Sequence, residues 1–144
     1  MEEAFCYSTR GMLTAEESRS PDCMLAVLRF KNGCIAKAMT DMAAQRPALH
    51  NFILYGTEGV FVNGRPDGTL YRGHQGQAEP VRDAYGPADA SRGQKGVGMA
   101  HLLDCIERDE EPLVNVREGA RAIAVCDAIY KSWQAGKPVR VEAV

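Results

Sequence analysis

The chain has 144 residues, 17 basic and 19 acidic, with a net charge of -2 and an isoelectric point near 5.9. That length suits a single domain, residues 1–144, able to bury roughly 70% of the surface that its unfolded form exposes. The mild acidity and scattered charge argue against nucleic acid or an anionic membrane as partner.

No apolar run nears the ~20 residues of a membrane span, and Met1-Glu2-Glu3-Ala4 is acidic where a signal peptide would be basic, so a cytoplasmic chain is expected. The five cysteines, Cys6, Cys23, Cys34, Cys105 and Cys126, are odd in number and lack Cys-x-x-Cys or Cys/His metal spacing. Free thiols are expected, with Cys6, Cys34 and Cys126 as buried small hydrophobes and no bound metal.

In chain order, Ala4 to Thr9 alternates as a first strand, with Phe5 and Tyr7 to one side and Cys6 and Ser8 to the other. Gly11 to Asp22 is polar and reads as a loop. Leu25 to Lys31 and Cys34 to Asp41 are strand-like runs around Asn32-Gly33, the strongest short hairpin signal. A two-residue loop there sets Phe30 opposite Ile35 and Leu28 opposite Lys37. One face then carries Leu28, Phe30, Ile35 and Met39, the other Leu25, Val27, Ala36 and Ala38. Both faces are apolar, so one needs cover from outside the chain.

Ala43 to Leu49 is a loop, His50 to Tyr55 a third strand of the same sheet, Gly56 to Gly59 a turn and Val60 to Asn63 a returning strand. Thr69 to Arg72 can pair again. From Gly73 to Gly98 the composition is that of a long loop, with a short strand near Pro80 to Arg82. A helix over Gly98 to Arg108 follows, with Met99, Leu102, Leu103 and Ile106 on one side and His101, Asp104 and Arg108 toward the other.

The last stretch is the most explicit. Asn115 is a favourable N-cap with Glu118 three residues on, Gly136 is a left-handed stop, and Pro138 prevents the helix from resuming. Ala122, Val125, Cys126, Ile129, Tyr130 and Trp133 mark the apolar face. Val139 and Val141 alternate with Arg140 and Glu142 as a closing strand. The class expected is α+β: an open, mostly antiparallel sheet with two main helices on one face and the other face used for oligomerisation.

The order of these motifs resembles the C-terminal domain of the Gfo/Idh/MocA family of NAD(P)-dependent oxidoreductases. The matching pieces are LRFKNGCIAKA at 28–38, ILYGTEGVF at 53–61, HLLDCIERDEEPLVN at 101–115 and REGARAIAVCDAIYKSWQAGKPVRV at 117–141. The resemblance implies a substrate-binding and oligomerisation domain of a dehydrogenase acting on a sugar, inositol or related alcohol.

The family's Rossmann domain, with its Gly-rich dinucleotide loop, Glu-Lys-Pro segment and linking helix carrying the catalytic Asp and His, is not recognisable here. Met1 falls about where the family's C-terminal domain begins. No catalytic or cofactor-binding residue is therefore assigned, and the isolated chain is expected to be inactive. NAD or NADP is expected only in a full-length relative, with a Rossmann domain and a second copy of the chain as partners. The resemblance places Arg46, His50, Lys95 and His101 in segments facing the substrate cleft. Their plain readings are solvated charge for Arg46 and Lys95, a locally bonded strand-end histidine for His50 and a surface helix histidine for His101. The alternative function is a stand-alone dimerisation or protein-interaction module.

Overall fold

The structure, a computed structural model, describes residues 1–11, 13, 16, 20–45, 51–63, 67–73, 76–82 and 90–144, with the backbone alone for 90–97. The chain divides into two compact units, Met1–Arg46 with Leu113–Val144, and Pro47–Pro112. In chain order the elements are β1 (Glu3–Thr9), β2 (Cys23–Arg29), β3 (Ile35–Asp41), β4 (Ile53–Tyr55), β5 (Gly59–Val62), β6 (Gly68–Arg72), β7 (Gln77–Val81), α1 (Ala90–Arg108), α2 (Val116–Ala135) and β8 (Val139–Arg140).

The α+β class and the antiparallel pairing hold, but the strands form two four-stranded sheets rather than one: β3-β2-β1-β8 in the first unit and β4-β5-β6-β7 in the second. The third strand expected from His50 begins at Ile53 and belongs to the second sheet. α2 covers the first sheet, and α1 belongs to the second unit. α1 also starts eight residues earlier than expected, at Ala90 instead of Gly98. Gly93, Gly96 and Gly98 lower helix propensity enough to make that turn-rich stretch read as loop.

The main hairpin is shifted by one residue from the expected register. Arg29, not Phe30, lies opposite Ile35, and Leu28 lies opposite Ala36. The loop has three residues, Lys31-Asn32-Gly33: Phe30 N-H donates to the Cys34 carbonyl at 2.9 Å, Gly33 N-H to the Phe30 carbonyl at 3.0 Å, and Gly33 takes φ 87°. This is a turn closed by a left-handed glycine, the common three-residue alternative to the two-residue loop. The Asn32 side chain reinforces it by accepting from Cys34 N-H at 3.2 Å.

A one-residue slip exchanges a strand's faces. The inner face therefore carries Ala4, Cys6, Ala26, Leu28 and Ala36, and the outer carries Tyr7, Leu25, Val27, Ile35 and Met39. Cys34, expected inside, is exposed in the turn.

The inner face is made of small side chains, and Ala128 of α2 reaches it at 2% exposure. Val125, Ile129 and Trp133 pack around it, as expected. The helix caps also form as expected: Asn115 Oδ1 accepts from Glu118 N-H at 3.0 Å, and Gly136, at φ 62°, donates its N-H to the Ser132 carbonyl. The face is rotated from its expected centre, however, leaving Cys126 and Tyr130 exposed and burying Ser132 completely.

Ser132 is buried because it is bonded on both sides. Its Oγ accepts from Cys6 N-H at 3.0 Å and donates to the Lys137 carbonyl at 2.7 Å. On that edge of β1 the partner strand β8 pairs only with Glu3 and Ala4. The hydroxyl continues the ladder where β8 ends, satisfying an amide that would otherwise be buried alone. Ser132→Ala should lower stability by about 1–3 kcal/mol, the range for leaving a buried polar group without its partner. An unchanged urea midpoint would show that neither bond matters.

Candidate functional site

Three of the four residues placed at the cleft fall in parts of the chain that bear on the site only in outline. Arg46 and His50 lie outside the described residues, as do His74 and Tyr85. Lys95 is on α1, but its side chain is outside the described set. His101 is described: it is exposed on α1, one turn before the buried Cys105. Its Nε2 lies 3.6 Å and its Nδ1 3.9 Å from Cys105 Sγ. The four-residue spacing of His101 and Cys105 on a helix is the sequence signal for this contact.

Elsewhere in the second unit, the β4–β5 hairpin turns through Gly56-Thr57-Glu58-Gly59, with Gly56 N-H donating to the Gly59 carbonyl at 2.9 Å. A hollow lies on each face of the sheet at this turn. One, of about 370 Å³, is lined by Leu54, Phe61, Leu70 and Arg72, with the Arg72 guanidinium paired to Glu79 at 3.2 Å. The other, of about 380 Å³, is lined by Val60, Tyr71, Gly73 and Gly76. Both are shallow and open. Among the described residues no three His, Cys, Asp or Glu side chains converge in a way that could hold a metal ion.

The first unit presents a structural arrangement. Lys131 bridges Asp127 on its own helix at 2.6 Å and Glu142 beyond β8 at 3.2 Å, and the bonds to these two carboxylates push its ammonium pKa up. Burial pushes the Cys6 thiol up. A raised thiol pKa keeps the sulfur protonated and unreactive near neutrality. Trp133 packs on the core and meets Tyr130 edge-on, with ring centroids 5.0 Å apart, as a core residue rather than a ligand platform.

The model of the oxidoreductase family's C-terminal alpha/beta domain matches residues 4–141. The chain belongs to that family. No curated protein matches it by sequence. Solved structures share its fold at low identity. A levoglucosan dehydrogenase in complex with NADH and levoglucosan superposes with a TM-score of 0.83 at 17% identity, covering 99% of this chain and 45% of that one. An NAD-binding oxidoreductase from Klebsiella pneumoniae gives 0.77 at 19%, covering 99% and 46%. An oxidoreductase domain protein from Kribbella flavida gives 0.79 at 12%, covering 99% and 44%. The chain thus spans under half the length of the structures it matches. The Gfo/Idh/MocA resemblance is confirmed at the level of family and fold.

A dinucleotide in such proteins needs a strand, a Gly-rich turn and a helix N-terminus in succession. The described residues do not fit that demand. Every strand pair is antiparallel, Gly73 and Gly76 close the turn between β6 and β7, and Gly96 and Gly98 lie inside α1. No helix of the described chain is long and apolar enough to cross a membrane.

The cysteine environments can be checked directly. At pH 8 in the native state, Cys34 and Cys126 should alkylate first and Cys6 only after denaturant is added. Peptide mapping showing Cys6 modified as fast as Cys34 would overturn its inner placement.

Proposed function

We propose that the chain is the substrate-binding and oligomerisation domain of an NAD(P)-dependent dehydrogenase that acts on a sugar, inositol or related alcohol. The observation that carries this reading is the family match over residues 4–141, together with a chain that spans under half of its structural relatives. Those relatives include proteins captured with NADH and levoglucosan, with NADH and L-sorbose, and with NAD+ and L-tartaric acid. A polyhydroxylated ligand is what these complexes have in common. Hydride transfer also needs the nicotinamide set against the substrate carbon, and in this reading a Rossmann domain supplies that part.

The role of this chain is then to bind and orient the alcohol. Arg46 and Lys95 are the cations that suit its hydroxyl or carboxylate oxygens, and His50 and His101 are the side chains able to accept or donate a hydrogen bond there. A chimera joining the chain to a family Rossmann domain should oxidise a sugar or polyol, read as NADH absorbance. The isolated chain should show no saturable NADH fluorescence change. In the chimera, His50→Ala and Arg46→Ala should each lower kcat/KM roughly tenfold or more, in keeping with the loss of a charge-assisted or positioning hydrogen bond. Saturable micromolar NADH binding by the isolated chain would sink the division of labour.

The outer face of the first sheet supports the oligomerisation half of the proposal and equally supports the second reading, a dimerisation module without chemistry. Tyr7, Val27, Ile35 and Met39 are 67%, 47%, 76% and 65% exposed, with Lys37 and Asp41 as the charges on the same side of β3 and Arg29 opposite Ile35 on β2. Soluble monomers rarely leave an apolar sheet face of this extent uncovered, and a two-fold self-contact is the commonest remedy. Light scattering across a concentration series should give a mass above the monomer. Ile35→Glu should return the chain to monomer with its circular dichroism intact, because Ile35 is outside the core. Ala36→Glu should unfold it, because Ala36 packs on the core. A sharp monomer mass throughout, from a folded sample, would exclude self-association and leave the substrate role to the chimera test.

A further inference from the structure

We propose that β3 is a docking edge, at which a second copy of the chain adds its own β3 antiparallel about a two-fold axis. This goes beyond the open-face contact, because it uses the backbone of an edge and needs no Rossmann domain. β3 ends the first sheet, with β2 on one side and no strand among the described residues on the other. Phe30 N-H bonds the Cys34 carbonyl and Met42 N-H the Asp22 carbonyl, so the even-numbered residues along β3 turn their backbone groups toward β2. Those groups alternate in direction along an antiparallel strand, so Ile35, Lys37, Met39 and Asp41 aim theirs outward. Such an edge is a template for another strand unless something blunts it. The other three edges are blunted: β8 has two residues, β4 has three and β7 carries Pro80. β3 has seven residues in unbroken register with β2, without proline or bulge, and its side chains are exposed except for the half-buried Ala36.

The side chains choose the register and the occupant. Lys37 and Asp41 lie on one side of β3 with Met39 midway between them. A two-fold axis at Met39 sets Lys37 of each copy directly opposite Asp41 of the other, and Met39 opposite its own mate. Among the described residues neither Lys37 nor Asp41 has an ion-pair partner within the chain. Asp41 Oδ1 accepts from Ala43 N-H at 3.0 Å, which leaves Oδ2 for the lysine. That bond also occupies the next outward amide, so the new ladder runs from Lys37 to Asp41, with about six hydrogen bonds. Opposite charges directly across a strand pair attract, and like charges repel. The same sequence on both sides matches both charges, which commits the edge to a second copy rather than to an unrelated strand. Ile35→Glu puts a carboxylate diagonal to Asp41 of the second copy, so that variant weakens this contact as well as the face.

Cross-linking separates edge from face. In a hydrogen-bonded antiparallel pair the opposed Cα atoms stand about 5.5 Å apart, within disulfide reach, whereas sheets packed face to face stand about 10 Å apart. The full chain carrying Cys34→Ser and Cys126→Ser, which remove the exposed thiols, is given Met39→Cys or, as control, Ile35→Cys, and is oxidised with diamide. Ile35 is the more exposed of the two, yet in this register it lies far from its own mate. The expected result is a disulfide-linked dimer that forms about tenfold or more faster from Met39→Cys than from the control, because pairing raises the effective concentration of the two thiols. In the chain with its native cysteines, Lys37→Asp and Asp41→Lys should each weaken self-association about tenfold in sedimentation equilibrium, and the double variant should restore it. Equal cross-linking at both positions, or a double variant as weak as the singles, overturns the edge pairing. A mass above the monomer in that case leaves association to the open face, and a monomer mass ends both.

Discussion

The bond from the Cys6 amide to the Ser132 hydroxyl fixes the relation between helix and sheet in the first unit. A helix laid on a sheet by apolar contact alone can slide, because small residues such as Ala4, Ala26 and Ala128 give little steric register. A hydroxyl buried to 0% exposure cannot slide without leaving an amide unpaired. The same oxygen reaches the Lys137 carbonyl just before β8. One side chain thus ties α2, the strand it covers and the entry to the closing strand.

From that anchor the faces of the first sheet follow. Cys6 must look toward α2, so Ala26 and Leu28, on the same side of the neighbouring strand, look there too, and Tyr7, Leu25 and Val27 look away. The three-residue turn at Lys31-Asn32-Gly33 carries the pattern to β3 by placing Ala36 inside and Ile35 outside. With a two-residue loop, Ile35 would have shared a face with Leu28. The turn puts the larger apolar side chains of β3, Ile35 and Met39, on the open face and turns Ala36 toward the core. That distribution supports an interface role for the open face.

The second unit is organised differently. Its sheet is a run of short hairpins, and α1 carries the His101–Cys105 pair on a helix whose N-terminal part is rich in glycine. The match to the family's C-terminal alpha/beta domain runs through both units, from residue 4 to residue 141.

What the sequence determined by itself is whatever depends on local chemistry. Asn115, Gly136 and Pro138 place α2 because caps and stops act within a turn of their own residue, and both caps form as expected. The alternation of Phe5 and Tyr7 with Cys6 and Ser8 sorts β1 because its partners preserve a period of two. The family was legible too, since motif order survives where identity to solved structures has fallen below 20%. The tertiary structure decided what local chemistry leaves degenerate. Asn-Gly accepts a two- or a three-residue loop, and long-range pairing with β1 chose the latter. Ser132 reads as polar and outward until a strand amide with no ladder partner stands opposite it. Cys126 and Tyr130 fit the helical period as well as Ala128 does, but with Ala128 at the closest approach to the sheet and Val125, Ile129 and Trp133 packed around it, the rotation of the helix leaves Cys126 and Tyr130 on the outside.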